Sequence, residues 1–155
     1  MTLADIIVNF LVKKGADTIF MVVGGQAMYL NDAVYRNKKI KSIYTHHEQA
    51  AGMAAEAYAR IKRSPGVAMV TAGPGSINAL NGVLGGWVDS SPMIIISGQS
   101  NSSVAKYMET NPIRQYGTQG INIEAYVKAA TKYFKTIDDP EKILYYMEKA
   151  YYLAT

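Results

Sequence analysis

Residues 45–60 read Thr45-His46-His47-Glu48-Gln49-Ala50-Ala51-Gly52-Met53-Ala54-Ala55-Glu56-Ala57-Tyr58-Ala59-Arg60. The short apolar run at residues 42–44 comes directly before this stretch and is typical of a β-strand. The stretch itself predicts a helix made almost entirely of small residues, which would allow another backbone to approach closely. Its first carboxylate, Glu48, lies where the strand gives way to the helix, and ligands bind at such junctions in open α/β sheets.

Glu48 has two interpretations at this point. Thr45 and Glu48 have the spacing of a capping box, in which each side chain bonds the backbone amide of the other residue. A carboxylate in the first turn also interacts favourably with the helix dipole. Alternatively, the carboxylate acts on a ligand at the strand end. The spacing alone is compatible with both roles.

The chain around this stretch alternates between apolar runs and helical patterns. Apolar runs predict strands at residues 18–23, 40–44, 67–71 and 93–97, with a further short strand at 132–137. Helical patterns predict helices at residues 3–14, 26–37, 45–60, 76–88, 121–129 and from 139 onwards, with a long loop at 98–119. Apolar strands that alternate with helices predict an α/β fold, a mostly parallel sheet with helices on both faces.

Composition excludes several classes of function. A chain of 155 residues is about one domain, and its formal charge of +4 is spread without a basic stripe, so we expect no nucleic-acid partner. The chain has no cysteine, and its only two histidines, His46 and His47, are adjacent and point apart. We therefore predict no metal site. No run is long enough to span a membrane and no signal-peptide pattern is present, so we expect a cytoplasmic protein without a membrane partner.

Unusual residues follow three of the predicted strands, at 23–25, 45–48 and 71–75. In a parallel sheet these three ends lie at the same edge. Two glycine turns beside a carboxylate would form a ligand crevice, because glycine permits close backbone approach and helix N-termini offer free amides. A tight connection is the simpler explanation of each turn. Neither turn fits a Walker or dinucleotide fingerprint, since Gly73-Pro74-Gly75 lacks the lysine and Gly24-Gly25 lacks the third glycine.

Five short motifs, one of which contains Glu48, nevertheless occur along the chain in an order and spacing that match a known family. These are His47-Glu48-Gln49-Ala50-Ala51, Ala57-Tyr58-Ala59-Arg60, Thr71-Ala72-Gly73-Pro74-Gly75-Ser76-Ile77-Asn78, Asp89-Ser90-Ser91-Pro92 and Ile94-Ile95-Ile96-Ser97-Gly98-Gln99. From residue 1 to about residue 150, the chain resembles the N-terminal pyrimidine-binding domain of thiamine-diphosphate-dependent enzymes. Within that family it looks most like acetolactate synthase.

The resemblance implies a role for each matching residue. The glutamate that matches Glu48 bonds the pyrimidine N1′ of thiamine diphosphate, which favours the imino tautomer and so assists deprotonation of the thiazolium carbon. The Glu48 carboxylate would thus be catalytic. The capping role remains open beside it, because the same carboxylate can cap the helix in one state of the protein and act on the cofactor in another. The resemblance implies cofactor contacts from Val23, Gly24, Gly25, Glu48, Pro74 and Asn78, and a substrate-side role for Gln119.

The resemblance also implies properties of a whole enzyme. Its members decarboxylate a 2-keto acid and join carbon fragments, as homodimers or tetramers, here through the helices at 45–60 and 76–88. Mg²⁺ and the diphosphate are held by a further domain that is absent here, and FAD is possible. We therefore expect residues 1–155 to be the N-terminal domain of a longer three-domain enzyme, without its last strand and inactive alone.

Two alternatives and two departures accompany this expectation. One alternative hypothesis is that the chain is a subunit of a two-chain 2-keto acid decarboxylase. The other is that it is a non-catalytic dimerising module. Val23 and Gln26 stand where the synthases usually have proline and a small residue. The loop between Gln99 and Gln119 is several residues longer than in typical biosynthetic synthases. These departures bear on the choice of substrate and on flavin binding.

Overall fold

The computed structural model describes residues 1–155, which form one parallel four-stranded sheet with helices on both faces. The strands are β1 (Thr18–Met21), β2 (Lys41–Tyr44), β3 (Gly66–Val70) and β4 (Met93–Ser97), in the order β2-β1-β3-β4. The α-helices are α1 (Leu3–Lys13), α2 (Met28–Arg36), α3 (Glu48–Lys62), α4 (Pro74–Val88), α5 (Ser102–Thr110), α6 (Glu124–Val127) and α7 (Ile143–Ala154). Short 3₁₀ helices occupy Gly25–Ala27, Lys128–Ala130 and Pro140–Lys142.

The two central strands divide the core into two layers. Side chains of β1 and β3 alternate between the faces, so Ile19 and Met69 join the larger cluster with α1, α2 and α7. Phe20 and Ala68 point the other way and pack against the small residues of α3. The predicted fold class, a mostly parallel sheet with helices on both faces, is therefore confirmed.

The two outer strands are less buried than the two central strands. All residues of β1 and β3 are buried, but β2 and β4 are half-exposed edge strands. β4 pairs with β3 along one edge, and no strand pairs with its other edge. Apolar composition therefore identified the strands but did not distinguish central from edge positions.

The strand predicted at residues 132–137 is wrong. Its aromatic and β-branched side chains favour a strand, but a ladder needs a neighbouring strand and none lies beside it. The segment instead packs against the last helix, where the Lys132 ammonium donates to the carbonyl of Leu153 at 3.3 Å. Burial of the Tyr133 phenol among the tyrosines of α7 raises its pKa above the usual value.

The second helix begins later than predicted. Gly25–Ala27 form a 3₁₀ turn, and α2 follows only from Met28. The helical pattern at residues 26–37 predicts that Met28, Leu30, Ala33 and Val34 point inward. Ala33 and Val34 are buried and Leu30 is half-buried, but Met28 is 56% exposed. The 3₁₀ turn has three residues per turn, which rotates the start of the helix away from the face that a continuous α-helix would present.

The start of α4 also differs from the sequence pattern, which predicts Ser76 as the N-cap because serine is a favoured capping residue. The helix begins at Pro74, and Gly73 precedes it with a φ of 63°, a conformation that glycine adopts readily. Ser76 lies inside the first turn, and its buried hydroxyl donates to the Thr71 carbonyl at 2.7 Å. The serine therefore ties the helix back to the end of β3 and does not cap it.

Helices α3 and α4 cross closely on one face of the sheet. A Cβ atom at Gly82 would lie 2.3 Å from the carbonyl carbon of Gly52, and a Cβ at Gly52 would lie 2.8 Å from the Ala79 carbonyl oxygen. The small-residue surface predicted to admit another backbone is therefore used, at these positions, by a helix of the same chain.

The N-terminus of α1 provides a prediction for stability against pH. Thr2 and Asp5 form a complete capping box, and Arg36 donates to the Asp5 carboxylate at 2.7 Å. The Thr2 amide first, and Arg36 second, lower the Asp5 pKa from 3.8 to about 2. The ionised form is favoured in the folded state, so its stabilisation is complete above pH 3.8 and is lost as the pH falls through about 2.

We therefore expect Asp5→Asn to lower the urea midpoint of unfolding at pH 7 and to reduce its decline between pH 4 and pH 2. Urea unfolding across that range measures both effects. Glu109→Gln, which removes an exposed carboxylate without an ion pair, should keep the wild-type decline. An Asp5→Asn protein with the same pH dependence as the wild type would contradict the assignment.

Candidate functional site

The carboxyl ends of β1, β2 and β3 lie side by side at one end of the sheet. Met21, the last residue of β1, is opposite Tyr44 of β2 and Met69 of β3 in the parallel register. The turns at residues 22–25, 45–47 and 71–75 therefore leave the sheet side by side. The chain moves from β1 to β2 on one side and returns to β3 on the other, so a topological switch point lies between β1 and β3. Ligands of open α/β sheets bind at such points.

Glu48 is the first residue of α3 and is not part of a capping box. His47 is the N-cap, and its Nδ1 accepts from the Gln49 amide at 3.1 Å. The Thr45 hydroxyl instead donates to the His47 carbonyl at 2.9 Å. The predicted capping box is wrong because the helix begins at residue 48 and not at residue 45. The Glu48 carboxylate is therefore free of the backbone role that the spacing suggested.

The half-buried Glu48 carboxylate lies between the first turns of α3 and α4. Asn78 donates from Nδ2 to Glu48 Oε2 at 3.0 Å. Gly75 leaves room for the other oxygen, since a Cβ there would lie 3.1 Å from Oε1. A carboxylate offers about four lone-pair positions. With one hydrogen bond made, Glu48 can accept from a further donor at the strand ends.

The crossing of the two helices supports this pair. Gly52 follows Glu48 by four residues on α3, and Gly82 follows Asn78 by four residues on α4. Each glycine therefore lies about one helical turn beyond its polar residue, on the same side of its helix. The close glycine contact fixes the distance between the helix axes, and so it also fixes the separation of Glu48 and Asn78.

The turn after β1 rests on the turn after β3. A Cβ at Gly24 would lie 2.4 Å from the Cβ of Thr71, so only glycine fits between them. The Gly24 carbonyl accepts from the Ala27 amide at 3.0 Å. Gly25 is open, with no atom within 4 Å of the place a Cβ would occupy, and Val23 is 58% exposed. An exposed apolar side chain and an open glycine therefore border the crevice.

These two glycines form a matched pair for mutation. We expect Gly24→Ala to lower the free energy of unfolding by about 1–3 kcal/mol, because the added methyl group overlaps Thr71. Gly25→Ala should be neutral or slightly stabilising, because its surroundings are open and alanine lowers the entropy of the unfolded chain. Denaturant unfolding of both variants measures the difference. Equal stabilities would contradict the close contact between the two turns.

The remaining predicted site residues lie on α4 and on the long loop. Pro74 is the exposed first residue of α4, one turn before Asn78. Gln119 has a φ of 56°, and its backbone lies against the turn after β3, since a Cβ at Gly73 would be 2.6 Å from the Gln119 carbonyl oxygen. The Gln119 side chain is exposed and makes no hydrogen bond. The fold thus brings its backbone to the strand ends, without a hydrogen bond to Glu48.

A second groove lies at the opposite end of the strands, beside the start of β2, and it is lined mainly by polar and basic side chains. Its volume is about 730 Å³, and it is lined by Asn9, Val12, Lys13, Arg36, Asn37, Lys38 and Lys39. Helices α1 and α2 both end there, and cations at helix C-termini balance the helix dipole. That function accounts for the basic side chains without a ligand. No three His, Asp or Glu side chains converge as metal ligands would, and no helix is both long and apolar enough to cross a bilayer.

Comparison with known proteins identifies the family. The family model described as thiamine pyrophosphate enzyme, N-terminal TPP binding domain, matches residues 1–126, which include all four strands and the three turns. The chain belongs to this family. The resemblance predicted from the sequence motifs is thereby confirmed, and Glu48 and both glycine turns lie within the residues that match the thiamine pyrophosphate enzyme domain.

Three individual relatives of the chain are all named as acetolactate synthases. The chain is 34% identical over 155 residues to "Acetolactate synthase, chloroplastic" of Arabidopsis thaliana, a match that covers 98% of this chain and 22% of the relative. It is 32% identical over 152 residues to "Acetolactate synthase large subunit" of Haemophilus influenzae, covering 98% and 25%. A mitochondrial acetolactate synthase of Schizosaccharomyces pombe is 29% identical. The chain thus spans about a fifth to a quarter of the length of these relatives.

Three residues beside the candidate site were not predicted individually as site residues. Thr71 packs against Gly24, Gly75 borders the Glu48 carboxylate, and Asn31 donates to the Gly24 carbonyl at 3.5 Å while its buried Oδ1 has no partner. Thr71 and Gly75 belong to the motif at 71–78, so the motif could have indicated them. Asn31 carried no sequence signal, because its position depends on the 3₁₀ turn before α2.

Proposed function

We propose that residues 1–155 are the pyrimidine-binding domain of a longer enzyme of the acetolactate synthase type. The enzyme would use thiamine diphosphate to decarboxylate a 2-keto acid and join the remaining fragment to a second molecule. One observation carries this proposal: the half-buried Glu48 carboxylate lies at the switch point of the sheet, between two glycine turns, with a single hydrogen bond. Membership of the thiamine pyrophosphate family supports it.

The residues at the strand ends fit the pyrimidine half of the cofactor. When bound, thiamine diphosphate would supply a thiazolium carbon that adds to the keto carbon and a positively charged ring that takes up the electron pair left by decarboxylation. The pyrimidine ring is flat and carries ring nitrogens. Gly24 and Gly25 would let backbone approach one side of it, while Val23 and Pro74 would offer apolar surface, and Glu48 the acceptor for a protonated ring nitrogen.

Glu48 would hold and share a proton at the ring nitrogen. Asn78 would keep the Glu48 carboxylate turned toward the crevice, because its Nδ2 donates a hydrogen bond to Oε2 and leaves Oε1 for the ligand. Hydrogen bonds to charged groups contribute about 1.5–3 kcal/mol when both partners are held in place. The glycine crossing of α3 and α4 would provide that support. Gln119 would act on the substrate side, from the loop that lies over Gly73.

Other parts of the enzyme lie outside these residues in the proposal. We infer that a further domain holds the diphosphate through Mg²⁺, with FAD as a possible additional cofactor. The chain spans only 22% of the Arabidopsis relative, which leaves room for such domains in a protein of that length. The free edge of β4 would take the last strand of this domain. A cytoplasmic location stays a prediction, since two of the relatives are named for the chloroplast and the mitochondrion.

We propose that copies of the chain associate through α3 and α4, to form a homodimer or a tetramer. The inner faces of these helices contact one another through glycines, but their outer faces carry exposed apolar side chains, at Met53, Leu84, Trp87 and Val88. Groups of exposed apolar side chains are typical of interaction surfaces. A 2-keto acid substrate would then be bound beside the cofactor between two chains.

Titration of the full-length protein with thiamine diphosphate and Mg²⁺, followed by assay with pyruvate, tests the proposed function. We expect saturable binding of the cofactor and cofactor-dependent release of CO₂. Cofactor binding that requires a separately encoded chain would favour the two-chain decarboxylase. No binding under either condition would leave the non-catalytic dimerising module as the better account and would contradict the proposal.

A further inference from the structure

Gln26 connects three segments that are far apart in sequence. Its side-chain Nε2 donates to the Thr118 carbonyl at 3.3 Å, and its Oε1 accepts from the Thr71 hydroxyl at 3.4 Å. Gln26 itself follows β1, Thr71 follows β3, and Thr118 belongs to the long loop after α5. One carboxamide therefore joins the two turns of the switch point to the loop that carries Gln119.

The backbone of Gln26 is held in place independently of its side chain. A Cβ at Gly98 would lie 2.5 Å from the Gln26 carbonyl oxygen, so the residue is pressed against the end of β4. The 3₁₀ turn Gly25–Ala27 also fixes its direction. The side chain therefore extends from a rigid base, and its reach to Thr118 is set by the fold.

The loop has few other connections to the strand ends. The bond from Gln26 is the only hydrogen bond that links residues 112–120 to the strand ends; the others stay within the loop and the end of α5. Gln119 packs on Gly73, and a Cβ at Gly120 would lie 3.5 Å from the Ser100 hydroxyl after β4. Gln119 also has a φ of 56°, which is uncommon for a residue with a side chain and needs support from its surroundings.

We propose that Gln26 is a positioning residue that holds residues 118–120 over the end of β3 and so sets the place of Gln119. This inference rests on the proposed function, because it assigns Gln119 to the substrate side. A small residue at position 26 could not reach Thr118. The loop and the glutamine that anchors it form one structural unit. The size and shape of the substrate pocket would depend on that unit.

Limited trypsin proteolysis of the full-length protein tests the anchoring directly. We expect Gln26→Ala and Gln26→Glu to accelerate cleavage after the exposed Arg114 of the loop by roughly 3- to 10-fold, the effect of losing one hydrogen bond that holds the loop in place. Gln26→Glu retains the volume and the acceptor for Thr71, but its carboxylate cannot donate to the Thr118 carbonyl. Gln99→Ala is the matched control, because the Gln99 carboxamide bonds only to Ser100. It should leave cleavage after Arg114 unchanged.

Steady-state kinetics of the same variants test the consequence for the substrate. We expect both Gln26 variants to raise the KM for the 2-keto acid by roughly 3- to 10-fold, with kcat within about twofold of wild type, because the loop orders less often around the substrate. Unchanged cleavage after Arg114 in both variants, or faster cleavage with an unchanged KM, would overturn the inference. A wild-type protein that neither binds thiamine diphosphate nor turns over a 2-keto acid would instead refute the proposed function, and the role of Gln119 with it.

Discussion

Glu48→Gln in the full-length protein is expected to lower thiamine-diphosphate-dependent turnover by roughly 100- to 10,000-fold, the usual contribution of a positioned acid–base group. Glutamine keeps the size of the side chain and an oxygen that can accept from Asn78. It cannot accept and share a proton at the pyrimidine nitrogen. The loss should therefore appear in kcat, which steady-state assay with a 2-keto acid measures.

Stability separates this catalytic role from a structural one. The capping box at Thr45 and Glu48 is not formed. We therefore expect the free energy of unfolding of Glu48→Gln to lie within about 0.5 kcal/mol of the wild-type value, as for an ordinary surface substitution. Asn78→Ala should give a smaller loss of turnover, because it removes the group that orients the carboxylate and not the carboxylate itself. A Glu48→Gln enzyme with the wild-type rate would refute the catalytic role.

Gly82→Ala is expected to lower the free energy of unfolding by about 3 kcal/mol, at the upper end of the range for overpacked sites. The added Cβ would lie 2.3 Å from the Gly52 carbonyl carbon and 2.4 Å from the Met53 nitrogen. These are backbone atoms, which cannot rotate away. The two helices would have to separate, and the spacing of Glu48 and Asn78 would change with them.

Gly85→Ala is the matched control on the same helix. Gly85 has no atom within 4 Å of a Cβ position, so alanine should stabilise the protein by about 0.5–1 kcal/mol through its higher helix propensity. Denaturant unfolding of both variants measures the contrast, with opposite signs expected. A Gly82→Ala protein as stable as Gly85→Ala would show that the helix crossing is looser than described.

Secondary structure could be predicted wherever a single local pattern determined it. The apolar runs located all four strands, and the periodicity from Leu3 to Leu11 located α1 with its end before Gly15. Tertiary context decided the rest. Residues 132–137 have strand composition but no neighbouring strand, and Met28 is exposed because a 3₁₀ turn precedes α2.

The candidate site could be predicted only in part. The motifs identified Glu48 and the two glycine turns, because each lies directly after a strand and parallel strands end at one edge. The capping-box spacing of Thr45 and Glu48 misled, since it is a local pattern and the actual cap, His47, depends on where the helix starts. The contacts of Gln26 join residues 45 and 92 positions away, and no local pattern could have indicated them.

A crystal structure of the full-length protein with thiamine diphosphate and Mg²⁺ tests the central claim most directly. The account predicts the pyrimidine ring at the ends of β1 and β3, with a Glu48 carboxylate oxygen about 2.7–3.0 Å from a ring nitrogen, the range of a hydrogen bond. Asn78 should still donate to the other oxygen. A cofactor bound elsewhere, or a pyrimidine ring at the strand ends without contact to Glu48, would contradict the account.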